Sequence, residues 1–223
     1  MRPSNPLALA VLALLFERPM HPYEMAATLK ERRKEDSIKL RYGSLYTVIE
    51  QLLARGLIAA AETSREGRRP ERTVYRLTEA GLDELRHWMR DLLREPAKEY
   101  PQFEAALCLL PVLAPEEAVT LLRQRALHLA GAVAHMEAQL AALAAQDFAV
   151  VAGEHNVPPA LAGQKFPPLF AVESEYRLAL ARAERAFVDD LVRRITEEGW
   201  GPREVWRDIQ AACARQHHHS AQE

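Results

Sequence analysis

The segment spanning residues 43–55 constrains this chain more than any other. Leu45, Val48, Ile49, Leu52 and Leu53 fall at i, i+3, i+4, i+7 and i+8, the spacing of one face of an α-helix. Gly56 follows, the residue type that ends a helix by taking the left-handed conformation. On the opposite side Ser44, Thr47 and Gln51 line up at i, i+3 and i+7, flanked by Tyr46 and Glu50. Short hydroxyls and an amide can hydrogen-bond base edges in the DNA major groove, which admits one helix. The wet face of an ordinary amphipathic helix looks the same, so the neighbouring segments decide between the two.

Residues 5–17 are apolar nearly all round (Leu7, Leu9, Val11, Leu12, Leu14, Leu15), which predicts a buried helix. Pro19 ends it, and Pro22 suits the first turn of a second helix running to about Arg33. After Gly56, residues 57–62 and 72–78 read as short strands, the second alternating Thr73, Tyr75 and Leu77 with Val74 and Arg76. The stretch between them, residues 63–71, is polar and carries Gly67 and Pro70 where a hairpin must turn. Three helices and a hairpin with Arg68 and Arg69 at its tip are the order of a winged helix-turn-helix. The third helix is then expected in the major groove, with the wing arginines on phosphates or in the adjacent minor groove. A guanidinium suits that task because it binds phosphate bidentately.

Charge supports this reading only locally. The whole chain carries a formal net charge of −2, but residues 37–76 concentrate Lys39, Arg41, Arg55, Arg65, Arg68, Arg69, Arg72 and Arg76 against four acidic side chains. A basic segment inside an acidic protein is the footprint of a DNA-contacting face, and also that of a solvated charged face. Lys39, Arg41, Arg68, Arg69 and Arg72 are the basic residues taken as DNA-binding candidates.

From Leu7 to Leu93 the chain resembles the PadR family of transcriptional regulators. The resemblance rests on His21-Pro22-Tyr23-Glu24-Met25, on Gly43-Ser44-Leu45-Tyr46-Thr47-Val48-Ile49-Glu50-Gln51-Leu52, on Gly56-Leu57-Ile58, and on Arg69-Pro70-Glu71-Arg72-Thr73-Val74-Tyr75-Arg76-Leu77-Thr78-Glu79-Ala80-Gly81. It implies that Tyr23 and Tyr46 contact phosphates and that Ser44 and Thr47 face the groove; core packing is the alternative for both tyrosines. The family usually has a basic or small residue plus glycine where Arg68-Arg69-Pro70 stand, and lysine in place of Thr73, so the wing is expected to touch DNA differently here. Family behaviour further implies regulation by a small lipophilic or phenolic effector, with Trp88 and Phe103 as candidate pocket residues; packing in the dimer core is the alternative for Trp88.

The first domain is expected to span residues 1–95, closing with a helix over residues 79–94 capped by Thr78. Its inward positions are Leu82, Leu85, Met89, Leu92 and Leu93. Residues 96–223 then read as a helical, coiled-coil-like dimerisation domain, making the fold class mostly α. Pro115-Glu116-Glu117 opens a long helix with proline in the first turn and carboxylates at the positive end of the helix dipole. Along it Val119, Ala126, Val133 and Leu140 repeat every seven residues, as do Leu122, Leu129, Met136 and Leu143, a coiled-coil-like seam. A second long helix, to about Glu198, carries Leu169, Val172, Tyr176, Leu180, Ala183, Phe187, Leu191 and Ile195 on its apolar face. Two helices alone bury little core, so a second copy of the chain is the expected completion, with Leu122, Leu129, Met136, Leu143, Tyr176 and Phe187 as dimerisation candidates. The resemblance agrees, pointing to the longer PadR-like subfamily with a helical C-terminal dimerisation domain. The intervening loop of about twenty residues is longer than that subfamily's helix pair leads one to expect. A final helix is expected over residues 202–215, followed by a frayed polar tail.

No phosphate-binding glycine loop, nucleophile elbow or metal-ligand spacing occurs, so neither catalysis nor a cofactor is expected. His217-His218-His219 reads as an incidental part of the tail rather than a metal site. Residues 6–16 form the longest uncharged apolar run, short of the ~18–20 residues that cross a bilayer, and no Ala-x-Ala-like cleavage site follows. Cys108 and Cys213 match no zinc or redox spacing and read as reduced core thiols. A cytoplasmic regulator follows, probing double-stranded DNA as a homodimer on a pseudo-palindromic operator, as a repressor and without a membrane partner. The competing reading is a protein-interaction adaptor that uses the winged helix and the helical domain without DNA.

Overall fold

The computed structural model describes residues 5–32, 34, 37–38, 42–64, 72–148, 161, 163–197 and 203–220, with the backbone alone at 42, 62–64, 72, 203 and 213–220. Lys39, Arg41, Arg68 and Arg69 lie outside the described residues. The chain divides into two units, Met1–Glu99 and Tyr100–Glu223.

In the first unit, α1 (Pro6–Glu17) starts where the Asn5 side chain accepts a hydrogen bond from the Leu7 N–H. It buries Leu7, Val11, Leu12, Leu14 and Leu15, as its all-round apolar pattern requires. Next, α2 (Pro22–Glu31) opens on a capping box built by His21 and Glu24. Helix α3 (Tyr42–Ala54) buries Leu45, Val48, Ile49 and Leu52 in the same core. Burial of each such side chain contributes about 1.5–3 kcal/mol. A bidentate pair from Arg32 Nη1 and Nη2 to the Glu17 carboxylate, at 2.6 and 2.7 Å, ties the ends of α1 and α2 together. That bond raises the Arg32 pKa above its ordinary value.

The wing is an antiparallel pair, β1 (Ile58–Ser64) and β2 (Arg72–Leu77), in register from Ile58 opposite Leu77 to Ser64 opposite Arg72, with a shift between Ala60 and Glu62. Met20 and Tyr75 exchange both backbone hydrogen bonds at 3.0 Å, which fastens the α1–α2 turn to the sheet.

Gly56 takes a φ of 68° and turns the chain out of α3, a conformation that costs a residue with a Cβ about 1 kcal/mol or more. At the following residue, the Leu57 carbonyl accepts from the Thr78 N–H (3.2 Å) and the Thr78 hydroxyl (2.9 Å). The same hydroxyl accepts from the Gly81 N–H at 3.0 Å and so caps α4 (Glu79–Arg94). Gly81 presses its Cα face on Leu57: a Cβ built there would lie 1.9 Å from the Leu57 oxygen.

Helix α4 departs from the expected inward set. Leu85 and Trp88 are buried and Leu82 is half-buried, whereas Met89 and Leu92 are exposed and Leu93 is 80 % exposed. The apolar arc of α4 is wider than the core it covers, so periodicity alone placed too many residues inside.

The second unit holds α5 (Gln102–Cys108), a 3-10 turn (Leu110–Val112), α6 (Pro115–Ala145), a 3-10 turn (Pro168–Phe170), α7 (Val172–Thr196) and α8 (Arg203–Ser220). Val119 and Leu122 of α6 pack with Val188, Leu191 and Ile195 of α7, with Ala126, Leu129, Phe103, Leu107 and Trp206 around them. The ion pairs Arg182–Glu137 (2.7 Å) and Arg125–Glu184 set the antiparallel register. Leu122 and Leu129 therefore find a partner within the chain. Met136 and Leu143 are half-buried.

The expected apolar face of α7 is in fact two faces. Leu178, Val188, Leu191 and Ile195 are buried, while Val172, Tyr176 (65 %), Leu180 and Phe187 (44 %) are exposed. Leu191 and Ile195 from the expected set lie inside with Leu178 and Val188, which that set omitted. Cys108, expected in the core, is exposed. Helix α8 runs to Ser220, past the point where fraying was expected. Trp206 Nε1 donates to the Leu113 carbonyl at 2.8 Å and anchors α8. Phe148, Phe166 and Phe170 form a ring cluster with centroids 5.2–6.2 Å apart, beside the Lys165–Asp147 pair at 2.9 Å. No helix among the described residues is long and apolar enough to cross a membrane.

Candidate nucleic-acid interface

Burial of Leu45, Val48, Ile49 and Leu52 fixes the rotation of α3, and what remains outside follows from it. Ser44, Tyr46, Thr47, Glu50 and Gln51 are all exposed. Along this face the Thr47 hydroxyl donates to the Gly43 carbonyl one turn earlier, at 3.1 Å. Its hydrogen is therefore committed to the backbone, and the side chain shows an acceptor and a methyl group. That pair suits a base-edge amino group or a thymine methyl. Among the described residues the Ser44 and Gln51 side chains have no hydrogen-bond partner, and both are exposed.

Asn5 belongs to this surface as well, although no local sequence pattern points to it. With Gly43, Ser44, Thr47, Val48 and Gln51 it lines a shallow hollow beside α3. The N-terminus of α1 is thus brought against the N-terminal half of α3. Asn5 caps α1, and its proximity to Ser44 follows only from helix packing.

At the start of α2 the His21 Nδ1 accepts from the Tyr23 N–H (3.1 Å), and the Glu24 carboxylate accepts from the His21 N–H (2.8 Å). His21 therefore carries no proton on Nδ1. With the first turn closed in this way, the Tyr23 ring stands 69 % exposed, and Tyr46 is 50 % exposed. Neither tyrosine packs in the core, so both phenols are open to solvent. Arg72 opens β2, with its backbone opposite Ser64.

The candidate effector residues are already engaged. Trp88 is 5 % exposed beneath the Arg55 guanidinium, which lies 5.6 Å from its ring centroid and pairs with Glu84. Phe103 lies under the Arg125 guanidinium at 3.8 Å. Among the described residues no group of three or more His, Cys, Asp or Glu side chains could hold a metal ion.

Comparison with known proteins gives this surface a context. Residues 11–87 match the transcriptional regulator PadR-like family. No curated protein matches the sequence. Among solved structures, the fold is similar to Bacillus subtilis PadR in complex with operator DNA, at 19 % identity and a TM-score of 0.60 over 85 % of this chain and 98 % of that one. The same B. subtilis protein in complex with p-coumaric acid aligns at 17 % identity and a TM-score of 0.61, over 87 % and 99 % of the two chains. The Vibrio cholerae virulence activator AphA aligns at 17 % identity and a TM-score of 0.57, over 85 % and 97 %.

Proposed function

We propose, from the premise that residues 11–87 are a domain of the transcriptional regulator PadR-like family, that this chain represses transcription by binding a pseudo-palindromic operator as a homodimer. The observation that carries the proposal is the outward face of α3. An uncharged line of Ser44, Thr47 and Gln51 is exposed on a helix whose opposite face is locked in the core. Side chains of this kind discriminate base pairs, while Tyr23 and Tyr46 offer hydroxyls to the phosphates on either side. Lys39, Arg41, Arg68, Arg69 and Arg72 supply the counter-charge in this reading.

Pairing is supported by α7, which keeps Val172, Tyr176, Leu180 and Phe187 exposed after the intrachain core is complete. A two-fold dimer would space two reading helices by a helical turn of DNA or a multiple of it. The similarity to a protein crystallised with p-coumaric acid supports extending the proposal to a small phenolic or lipophilic effector that releases the DNA.

The test is the electrophoretic mobility of intergenic DNA upstream of the protein's own gene. A discrete shifted band, lost steeply as salt rises, is expected. A chain that shifts no duplex at any salt concentration refutes DNA binding and leaves the protein-interaction adaptor. Titrating p-coumaric acid into the complex tests the effector: recovery of free DNA supports it, and an unchanged band removes that ligand.

A further inference from the structure

Arg55 sits one turn after Gln51 at the end of α3, and its N–H still donates to the Gln51 carbonyl at 3.1 Å. Eleven residues, close to three full turns, separate it from Ser44, so the two share one helical edge. Arg55 thus continues the line of exposed polar side chains, and among the described residues it is the one cation on that line. Its guanidinium is nevertheless turned toward α4, where Nη2 pairs with Glu84 Oε1 and the planar group lies over Trp88. The arrangement is open rather than sealed: the Arg55 side chain is 43 % exposed. Exposed pairs of this kind contribute little to stability and exchange readily. A guanidinium so placed can trade a carboxylate for a phosphate, because both offer the same bidentate geometry.

We propose that Arg55 is a masked phosphate ligand, held by Glu84 in the free protein and handed to the DNA backbone at the end of α3 when a duplex occupies that helix. Glu84 acts as an internal stand-in for phosphate and lowers affinity for all duplexes alike. This rests on the DNA-binding reading above. Trp88 positions the side chain: it supports the guanidinium face from below and keeps it extended between its two acceptors.

The competing account is a purely structural clamp that holds α3 to α4. The two accounts differ in sign. A clamp is broken equally by losing either partner, so Glu84→Gln and Arg55→Gln would both weaken DNA binding. A masked ligand predicts opposite effects. The experiment uses the full chain and a fluorescein-labelled duplex of the upstream intergenic sequence, with affinity read by anisotropy across a salt series.

Glu84→Gln is expected to tighten binding about three-fold per protomer by removing the competitor. Arg55→Gln is expected to weaken it by a similar factor and to flatten the slope of log K against log salt by about 0.9 per protomer, the share of one phosphate contact. Arg55→Lys keeps the slope, which guards against a fold defect in the glutamine variant. Weakening by both single substitutions, or an unchanged slope in Arg55→Gln, overturns the proposal while leaving DNA binding intact. Failure of the wild-type chain to bind the duplex in any salt overturns the DNA-binding reading, and this inference falls with it.

Discussion

Adding one methyl group to Gly81 tests the junction that holds α3 to α4. Two effects oppose each other. Alanine in a helix interior is favoured over glycine by about 0.8–1 kcal/mol, so an unobstructed site would gain stability. At Gly81, however, the new Cβ would stand 1.9 Å from the Leu57 oxygen, 2.8 Å from Leu77 Cδ1 and 2.9 Å from the Leu57 carbonyl carbon. Two of these three atoms belong to the backbone and cannot rotate away. Relief requires moving α4 from Leu57 by more than 1 Å (roughly the gap to an ordinary contact). That shift pulls Thr78 from the carbonyl it bonds through both its N–H and its hydroxyl. Overpacking costs about 1–3 kcal/mol, and a lost cap adds about 1 kcal/mol. After subtracting the propensity gain, Gly81→Ala should destabilise the first unit by about 1–3 kcal/mol. Urea unfolding of the full chain, followed by far-ultraviolet circular dichroism, measures this. Gly131→Ala is the control, because nothing lies within 4 Å of its added Cβ; it should be neutral or stabilising. A Gly81→Ala protein as stable as the Gly131→Ala protein would refute the close approach at Leu57.

Further outcomes follow from the same geometry. Replacing Ser44, Thr47 and Gln51 together by alanine should leave the unfolding midpoint within error and reduce preference for the operator over a scrambled duplex by at least ten-fold, since each base contact is worth about 1–3 kcal/mol; equal preference before and after would move base reading elsewhere. Tyr176→Asp with Phe187→Asp should convert the dimer to a folded monomer in sedimentation, because both side chains are exposed on a face the intrachain core does not use; an unchanged sedimentation coefficient would free α7 from pairing. Asp190 has its pKa lowered by a hydrogen bond from Arg193 and by the nearby Arg194. Its contribution to stability is therefore present above its unfolded pKa, near 3.9, and is lost as pH falls through the lower folded value. The drop in thermal midpoint on acidification from pH 4 should accordingly be shallower in Asp190→Asn than in wild type.

Most of the first unit was legible because its signals were local and mutually consistent. Thr78 and the apolar positions after it mark α4, and the helix begins at Glu79 and ends at Arg94 as expected. The buried stripe of α3 left only one face for Ser44, Thr47 and Gln51. What could not be read depended on packing across long separations. Val188 and Phe187 are neighbours in an apolar stretch, and only packing with Val119 and Leu122 of α6 decides that Val188 is the one buried. The Arg125–Glu184 and Arg182–Glu137 pairs join residues 59 and 45 apart, so no local pattern announces them. Burial of Trp88 while Leu93 stays outside reflects the limited width of the core under α4. The place of Asn5 beside Ser44 likewise comes from the crossing of α1 and α3.

In the proposed dimer, a helix with apolar side chains on two sides ties activity to abundance. The chain by itself satisfies one side of α7 and leaves Tyr176 and Phe187 in water, so mass action, more than folding, decides how often the second side is covered. When copies are scarce, paired molecules grow with the square of the number made. Under that regime a modest change in synthesis becomes a steeper change at the promoter, with no added component.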